Sequence, residues 1–379
     1  MKRNPILDLL GANAVTAVQE TARRMRAEGR EMVDFSIGDP REPTPAFIPE
    51  AMKAAVPEVS QYPMVAGLPE LRAAVAAYVQ RRFGVRVDPD SEVLPTTGSK
   101  ESIFSTPLAF VDRDAADGVI WPTPAYPIYQ RGALLAGAKP LPVSLGGDFV
   151  FRAGMVPDEY WAQAAMVWVC TPHNPTGSIT ELGDLAAMRE RAADSGVLVC
   201  SDECYADLYD TEPPHSMLEV GGTEGVLTYL SLSKRSGMTG YRSGAIVGDA
   251  RAIATLRELR TGTGTAPQEF IQRAAIAAWG DDDHVAERRT IFREKRAIVS
   301  KAFADVGCPT VGSEAGLYVW VRVHDDVDVA TRLLEHGVVV APGRAFGPGG
   351  EGHLRLALVP TLEECKAATE VVMECLGER

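Results

Sequence analysis

The stretch VLTYLSLSKRSGMTGYRSG, residues 226–244, decides the fold. It opens as an apolar run and breaks into Ser231, Ser233, Lys234 and Arg235, followed by a turn punctuated by Gly237, Gly240 and Gly244. A short apolar run bounded by turn residues reads as a buried strand. Lysine is a poor residue to place at the end of a buried strand unless something there needs an amine. The same grammar recurs upstream in SEVLPTTGSKESIF (91–104), GVIWPTPAYPIY (118–129), MVWVCTPHNPTG (166–177) and VLVCSDECYADL (197–208). Helical patterns lie between several of these, as in residues 182–194. Buried strands alternating with helices predict an α/β fold with a mainly parallel central sheet and helices on both faces. Ligands bind such sheets beyond the carboxyl ends of the strands, which are the polar turns just quoted.

The C-terminal part changes character. Helical patterns over 267–279 and 284–303 lead to a strand-like GLYVWVRV (316–323), a helix near 329–336, then GVVVAPG (337–343), HLRLALV (353–359) and a last helix near 362–375. This predicts a smaller α+β domain. The expected division is an N-terminal arm and helix over 1–40 packing on the small domain, a large ligand-binding domain over 41–280, and the small domain over 281–379. Residues 12–30 read as an amphipathic helix within that arm.

With 379 residues, 46% of them hydrophobic, the chain is long enough for two domains and a sizeable core. Its net charge of −13 argues against nucleic acid, whose phosphates need a basic face. Six cysteines form no CxxC pair; Cys200 and Cys204 are four apart, with no histidine close in sequence to complete a zinc set. The expectation is no metal site and reduced thiols in a cytoplasmic protein. No apolar run approaches the roughly 20 residues of a membrane span. Asp8 interrupts the apolar part of MKRNPILDLLGANAV, so no signal peptide is expected there.

The strand-end turns pool their chemistry. Gly98 and Ser99 stand at a helix start, where free N–H groups hold anions. Ser231, Ser233 and Arg242 add donors suited to phosphate. Tyr126 offers a flat face, Asn174 an amide, Asp202 a carboxylate, Tyr205 a phenol and Lys234 an amine. Each alone has a bland alternative: Asp202 as a helix cap, Asn174-Pro175-Thr176-Gly177 as a plain turn, Tyr126 as core, Lys234 as a solvated side chain. Together they call for an anion, a planar ring, a protonated ring nitrogen against Asp202 and a carbonyl carbon for Lys234. Pyridoxal phosphate meets all four demands.

On these motifs, with IGDP (37–40), YPMVAGLPELR (62–72) and HLRLAL (353–358), the chain resembles the fold-type-I, class I/II pyridoxal-phosphate aminotransferases over nearly its full length. The resemblance implies that Lys234 bonds the cofactor's carbonyl carbon and that Asp202 pairs with the ring nitrogen. It implies that Asn174 and Tyr205 hold the ring's phenolic oxygen and that Tyr126 stacks on the ring. The phosphate falls to the backbone of Ser99 and Lys100, with Ser231, Ser233 and Arg242. Tyr62 matches a tyrosine that reaches the neighbouring subunit's phosphate, which implies a homodimer with shared sites. Arg355 matches the arginine that grips the substrate α-carboxylate, assisted by Gly38 and Asn174. Taken alone, Arg355 also reads as a surface salt bridge.

Within that family the chain is most similar to the N-succinyldiaminopimelate aminotransferases, on SDECYADLY, SLSKRSG, AGAKP, HVAERRTIFREKR (284–296) and LRLALVP. Residues 238–241, MTGY, depart from that subgroup's string and follow the general aminotransferase pattern. The expected reaction moves an amino group between an amino acid, with glutamate as donor, and a keto acid. Arg41, Arg260 and Arg344 are candidates for a distal substrate carboxylate, and a surface role is open for each. The alternatives are an aminotransferase for aspartate, alanine or an aromatic amino acid, or a pyridoxal-phosphate β-lyase using the same lysine and carboxylate.

Overall fold

The structure is a computed structural model that describes residues 3–9 and 14–377. Its strands in chain order are β1 (Val33–Asp34), β2 (Val93–Thr96), β3 (Gly118–Thr123), β4 (Lys139–Ser144), β5 (Ala164–Cys170), β6 (Leu198–Asp202), β7 (Val226–Ser231), β8 (Gly244–Gly248), β9 (Tyr318–Arg322), β10 (Val338–Val339), β11 (Ala341–Pro342) and β12 (His353–Ala357). Seven of them build the central sheet in the order β2-β8-β7-β6-β5-β3-β4. The pairs β4–β3, β3–β5, β5–β6 and β6–β7 are parallel. β8 runs against both its neighbours.

The unbroken apolar runs of β3 and β5 follow from helices covering both faces of the sheet. Successive side chains point to opposite faces, and the core splits accordingly. Ile120, Val167, Val169 and Val199 pack on one side. Val119, Trp121, Met166, Trp168 and Cys200 pack on the other. β4 alternates buried and exposed residues, as an edge strand does, and carries Pro140 and Pro142 at exposed positions. Proline lacks the ladder donor and is tolerated at such an edge.

β9, β11 and β12 form an antiparallel sheet with β12 in the centre, where Arg355 pairs with Trp320 on one side and Ala341 on the other. The run GVVVAPG serves two sheets: Val338–Val339 pairs with β1, and Ala341–Pro342 pairs with β12. The chain turns from one partner to the other at Val340, which the continuous apolar pattern conceals. The N-terminal helix spans Ala14–Ala27, shorter than the 12–30 expected. It stops before Gly29, which sits at φ +87°, and residues 12–13 lie outside the described ones. Ala22 of this helix packs with Leu334 and Val339. A separate core gathers Phe292, Phe303, Val319, Leu333 and Leu356 with Tyr205 and Leu208 from the loop after β6. That shared packing draws β12 against the carboxyl ends of the central strands.

Candidate active site

A cavity of about 390 Å³ opens at the ends of β5, β6 and β7. Gly38, Ser99, Lys100, Tyr126, Asn174, Asp202, Tyr205, Ser231, Ser233, Lys234, Arg242 and Arg355 all line it. Tyr62 lies outside it and is fully exposed. Residues spread from position 38 to 355 thus converge on one place.

Asp202 is the last residue of β6 and is buried. Its Oδ1 accepts from the Cys204 backbone N–H at 3.2 Å, and its Oδ2 accepts from the Tyr129 hydroxyl at 2.7 Å. Burial pushes its carboxyl up, and the Cys204 and Tyr129 hydrogen bonds pull against that. No cation pairs with it among the described residues.

Lys234 sits on the single helical turn Leu232–Arg235 that follows β7. Ser231 caps this turn by accepting from the Ser233 N–H at 3.2 Å. Lys234 Nζ donates to the carbonyl of Gly38. Burial brings its amine down from 10.5 to about 8; Arg242 and Arg355 push the same way, while Asp39 and Cys204 oppose. A substantial neutral fraction near pH 8 is what a lysine needs to act as a base.

Arg242 adopts φ +56° and anchors its guanidinium on the carbonyl of Thr239 at 2.9 Å. It lies over Gly98, where an added Cβ would stand 2.4 Å from Arg242 Nη2. Only glycine allows that approach, and Gly98 also holds φ +91°. The arginine is thereby held over the start of helix Ser99–Ser105.

Arg355 is buried between two rings, 4.5 Å from the Tyr318 centroid and 4.4 Å from the Phe346 centroid. It donates to Asn174 Oδ1 at 3.2 Å and to the Ser36 carbonyl at 2.7 Å. Its Nε finds no partner among the described residues, and no carboxylate pairs with it. Asn174 donates to Tyr205 Oη at 3.4 Å, and Tyr205 Oη lies 2.9 Å from Tyr318 Oη.

A buried carboxylate without a cation and a buried guanidinium without an anion face the same cavity. Leaving a buried charge unpaired is expensive, so each is a place for a charged ligand group. The donor set fits pyridoxal phosphate: serine hydroxyls and Arg242 for a phosphate, Tyr126 for a ring face, Asp202 for a ring N–H.

Sequence reading missed the wall residues Tyr318, Phe346, Cys204, Ser36 and Gln19, and Tyr129, which lies behind the wall against Asp202. Tyr129 had a signal, three residues after Tyr126 at the start of helix Ile128–Ala136. Tyr318 and Phe346 had none, since tertiary contact alone brings them to Arg355. The three arginines considered for a distal carboxylate do not line the cavity. Arg41 pairs with Glu364 at 2.7 Å, Arg260 is buried against Glu101 at 3.2 Å, and Arg344 pairs with Asp326 at 2.7 Å. Among the described residues no helix is long and apolar enough to cross a membrane.

The family Aminotransferase class I and II matches residues 30–372. An LL-diaminopimelate aminotransferase of Desulforudis audaxviator is 36% identical over 371 residues, covering 95% of this chain and 94% of its own. An aminotransferase from Neisseria meningitidis superposes with a TM-score of 0.91 at 33% identity, over 98% of this chain and 99% of its own. A probable N-succinyldiaminopimelate aminotransferase from Thermus thermophilus does so with a TM-score of 0.90 at 29% identity, over 96% and 100%. The chain belongs to the class I and II aminotransferases, enzymes that transfer amino groups between amino and keto acids with pyridoxal 5'-phosphate.

Proposed function

We propose that the enzyme transaminates a diaminopimelate-type substrate, N-succinyl-LL-2,6-diaminopimelate, against 2-oxoglutarate, with Lys234 as the base and Asp202 and Arg355 as its two charged anchors. The observation that carries the site assignment is the pair of unmatched buried charges, Asp202 and Arg355, opening on one cavity with Lys234. Groups present only for stability would be paired with each other.

Arg355 binds the α-carboxylate, with Asn174 already hydrogen-bonded to the guanidinium and Gly38 beside it. Lys234, neutral at a pH where an exposed lysine is not, takes the proton from the Cα of the amino donor and, in the opposite half-reaction, delivers a proton to the Cα of the keto acid being aminated. Asp202 holds a proton on the cofactor ring nitrogen, while Asn174 and Tyr205 hold its phenolic oxygen. Ser231, Ser233, Arg242 and the backbone of Ser99 and Lys100 hold the phosphate, and Tyr126 covers the ring. When bound, the cofactor supplies an electron sink for the charge left at Cα. One site serving donor and acceptor in turn gives ping-pong kinetics.

The substrate reading rests on the sequence resemblance and on the diaminopimelate names of the relatives. Those names favour one second reading, unmodified LL-2,6-diaminopimelate. Among the described residues, Arg242 and Arg355 are the only arginines that line the cavity, so a distal carboxylate finds no further arginine there. We also propose a homodimer. Tyr62, Val59 and Met64 are exposed together, which suits a surface covered by a second copy, with Tyr62 reaching the partner's phosphate site.

A half-reaction screen tests the substrate. Enzyme loaded with pyridoxal phosphate is mixed with N-succinyl-LL-2,6-diaminopimelate, LL-2,6-diaminopimelate, glutamate, aspartate, alanine or phenylalanine, and the loss of visible absorbance is timed. The proposal expects the succinylated compound and glutamate to react fastest. Faster discharge by aspartate, alanine or phenylalanine would overturn it, and ammonia release without an acceptor would indicate a β-lyase.

A further inference from the structure

Tyr129 belongs to none of the roles above, yet it makes the shortest hydrogen bond to Asp202. Its hydroxyl lies 2.7 Å from Asp202 Oδ2, and both side chains are buried. The Cys204 N–H donates to Oδ1 at 3.2 Å, and the Cys204 side chain also hydrogen-bonds the carboxylate. The Tyr129 hydroxyl and the Cys204 N–H hold one oxygen each, which fixes the carboxylate plane. The other titratable groups around Asp202 are Tyr126, Tyr205, Tyr229, Tyr318, Cys170 and Cys204. Burial pushes each of them up, so all stay neutral at physiological pH and none supplies a countercharge. Tyr129 is itself pushed up by burial and keeps its proton to donate.

The ring of Tyr129 is separately secured. It stacks on Trp168 with centroids 5.1 Å apart and planes 17° apart, and it meets Tyr126 edge-on at 6.0 Å. The hydroxyl is therefore a polar group added to a packed ring, and it meets Cys170 as well as Asp202. A neutral donor on a buried carboxylate favours its charged form. A charged Asp202 is in turn what keeps a proton on a ring nitrogen facing it.

We propose that Tyr129 is a positioning residue for the transamination: its hydroxyl keeps Asp202 ionised and oriented, and so sets the protonation of the cofactor's ring nitrogen. The inference rests on the proposed pairing of Asp202 with that nitrogen. In Tyr129→Phe the carboxylate loses its shortest hydrogen bond, its proton affinity rises, and the shared proton moves from nitrogen toward oxygen.

The test uses holoenzyme loaded with pyridoxal phosphate labelled with ¹⁵N in the ring, followed by NMR from pH 6 to 9. Wild type is expected to show a protonated nitrogen throughout. Tyr129→Phe is expected to lose that proton within the range, with kcat down about tenfold and amino-acid KM within about twofold, the size expected for a lost hydrogen bond to a charged group. Unchanged nitrogen shift and kcat in Tyr129→Phe would overturn the proposal. A second variant carries 3-fluorotyrosine at position 129, which keeps the hydroxyl, and is expected to match wild type. Equal losses in both variants would assign the effect to ring packing and overturn it too. An unprotonated nitrogen in wild type is a different failure, that of the Asp202 pairing itself.

Discussion

Replacing Lys234 by methionine should stabilise the cofactor-free protein at neutral pH, and by an amount that depends on pH in a defined way. Burial holds the Lys234 amine at about 8, against an ordinary value of 10.5. Between those values the unfolded chain binds more protons than the folded one, so stability rises with pH across that window. Below about 8 the lysine is charged in both states and its destabilising effect is complete. Above 10.5 it is neutral in both and the effect is gone. At about 1.4 kcal/mol per pH unit, the displacement from 10.5 to about 8 corresponds to about 3 kcal/mol. Applying the two proton-binding curves, the part lost between pH 7 and pH 10 is about 2.5 kcal/mol. Methionine has similar length and no charge, so it removes the titration while keeping most of the packing. Urea unfolding of both cofactor-free proteins, at one protein concentration, measures the difference at each pH. The stability gap in favour of Lys234→Met should shrink by about 2.5 kcal/mol from pH 7 to pH 10. A gap that does not change with pH would refute the argument that burial depresses this lysine.

Arg355→Gln should raise KM for amino and keto acids about a hundredfold in steady-state kinetics while leaving cofactor affinity within about twofold, because a buried charged contact is lost only with substrate bound. Gly98→Ala should weaken cofactor retention, measured as the dissociation constant by fluorescence titration, since the new Cβ would stand 2.4 Å from Arg242 Nη2. Glu203 accepts from Ser201 Oγ at 2.7 Å and the Met217 N–H at 2.9 Å, and burial raises its carboxyl from 4.5 to about 7. The stability tied to its protonated form is full below 4.5 and lost as pH rises through 7, so Glu203→Gln should gain about 3 kcal/mol over wild type in urea unfolding between pH 4.5 and pH 8.

Most of the central sheet was legible because β2, β3, β5, β6 and β7 announce themselves locally, whereas β4, with its two prolines, and β8 were not read as strands. β3, β5 and β7 are apolar runs that end in a polar turn, and Tyr126, Asn174 and Lys234 lie in those turns. What escaped depends on neighbours far away in the chain. The reversal of β8 follows from which strand it pairs with, and its apolar sequence is the same in either direction. Arg355 meets Asn174 across 181 residues, and Tyr318 and Phe346 close on it only after the small sheet has formed. Arg260 illustrates the converse. In sequence it looks free, but tertiary packing buries it against Glu101. The Tyr129–Asp202 bond spans 73 residues, so PAYPIY marks the tyrosine without naming its partner.

The assignment of Lys234 as the residue that engages the cofactor is tested most directly by covalent trapping. Protein loaded with pyridoxal phosphate is reduced with borohydride, digested and mapped by mass spectrometry. The site described here predicts a single labelled peptide, modified at Lys234. A label at Lys100, the other lysine lining the cavity, or at any other lysine would contradict it.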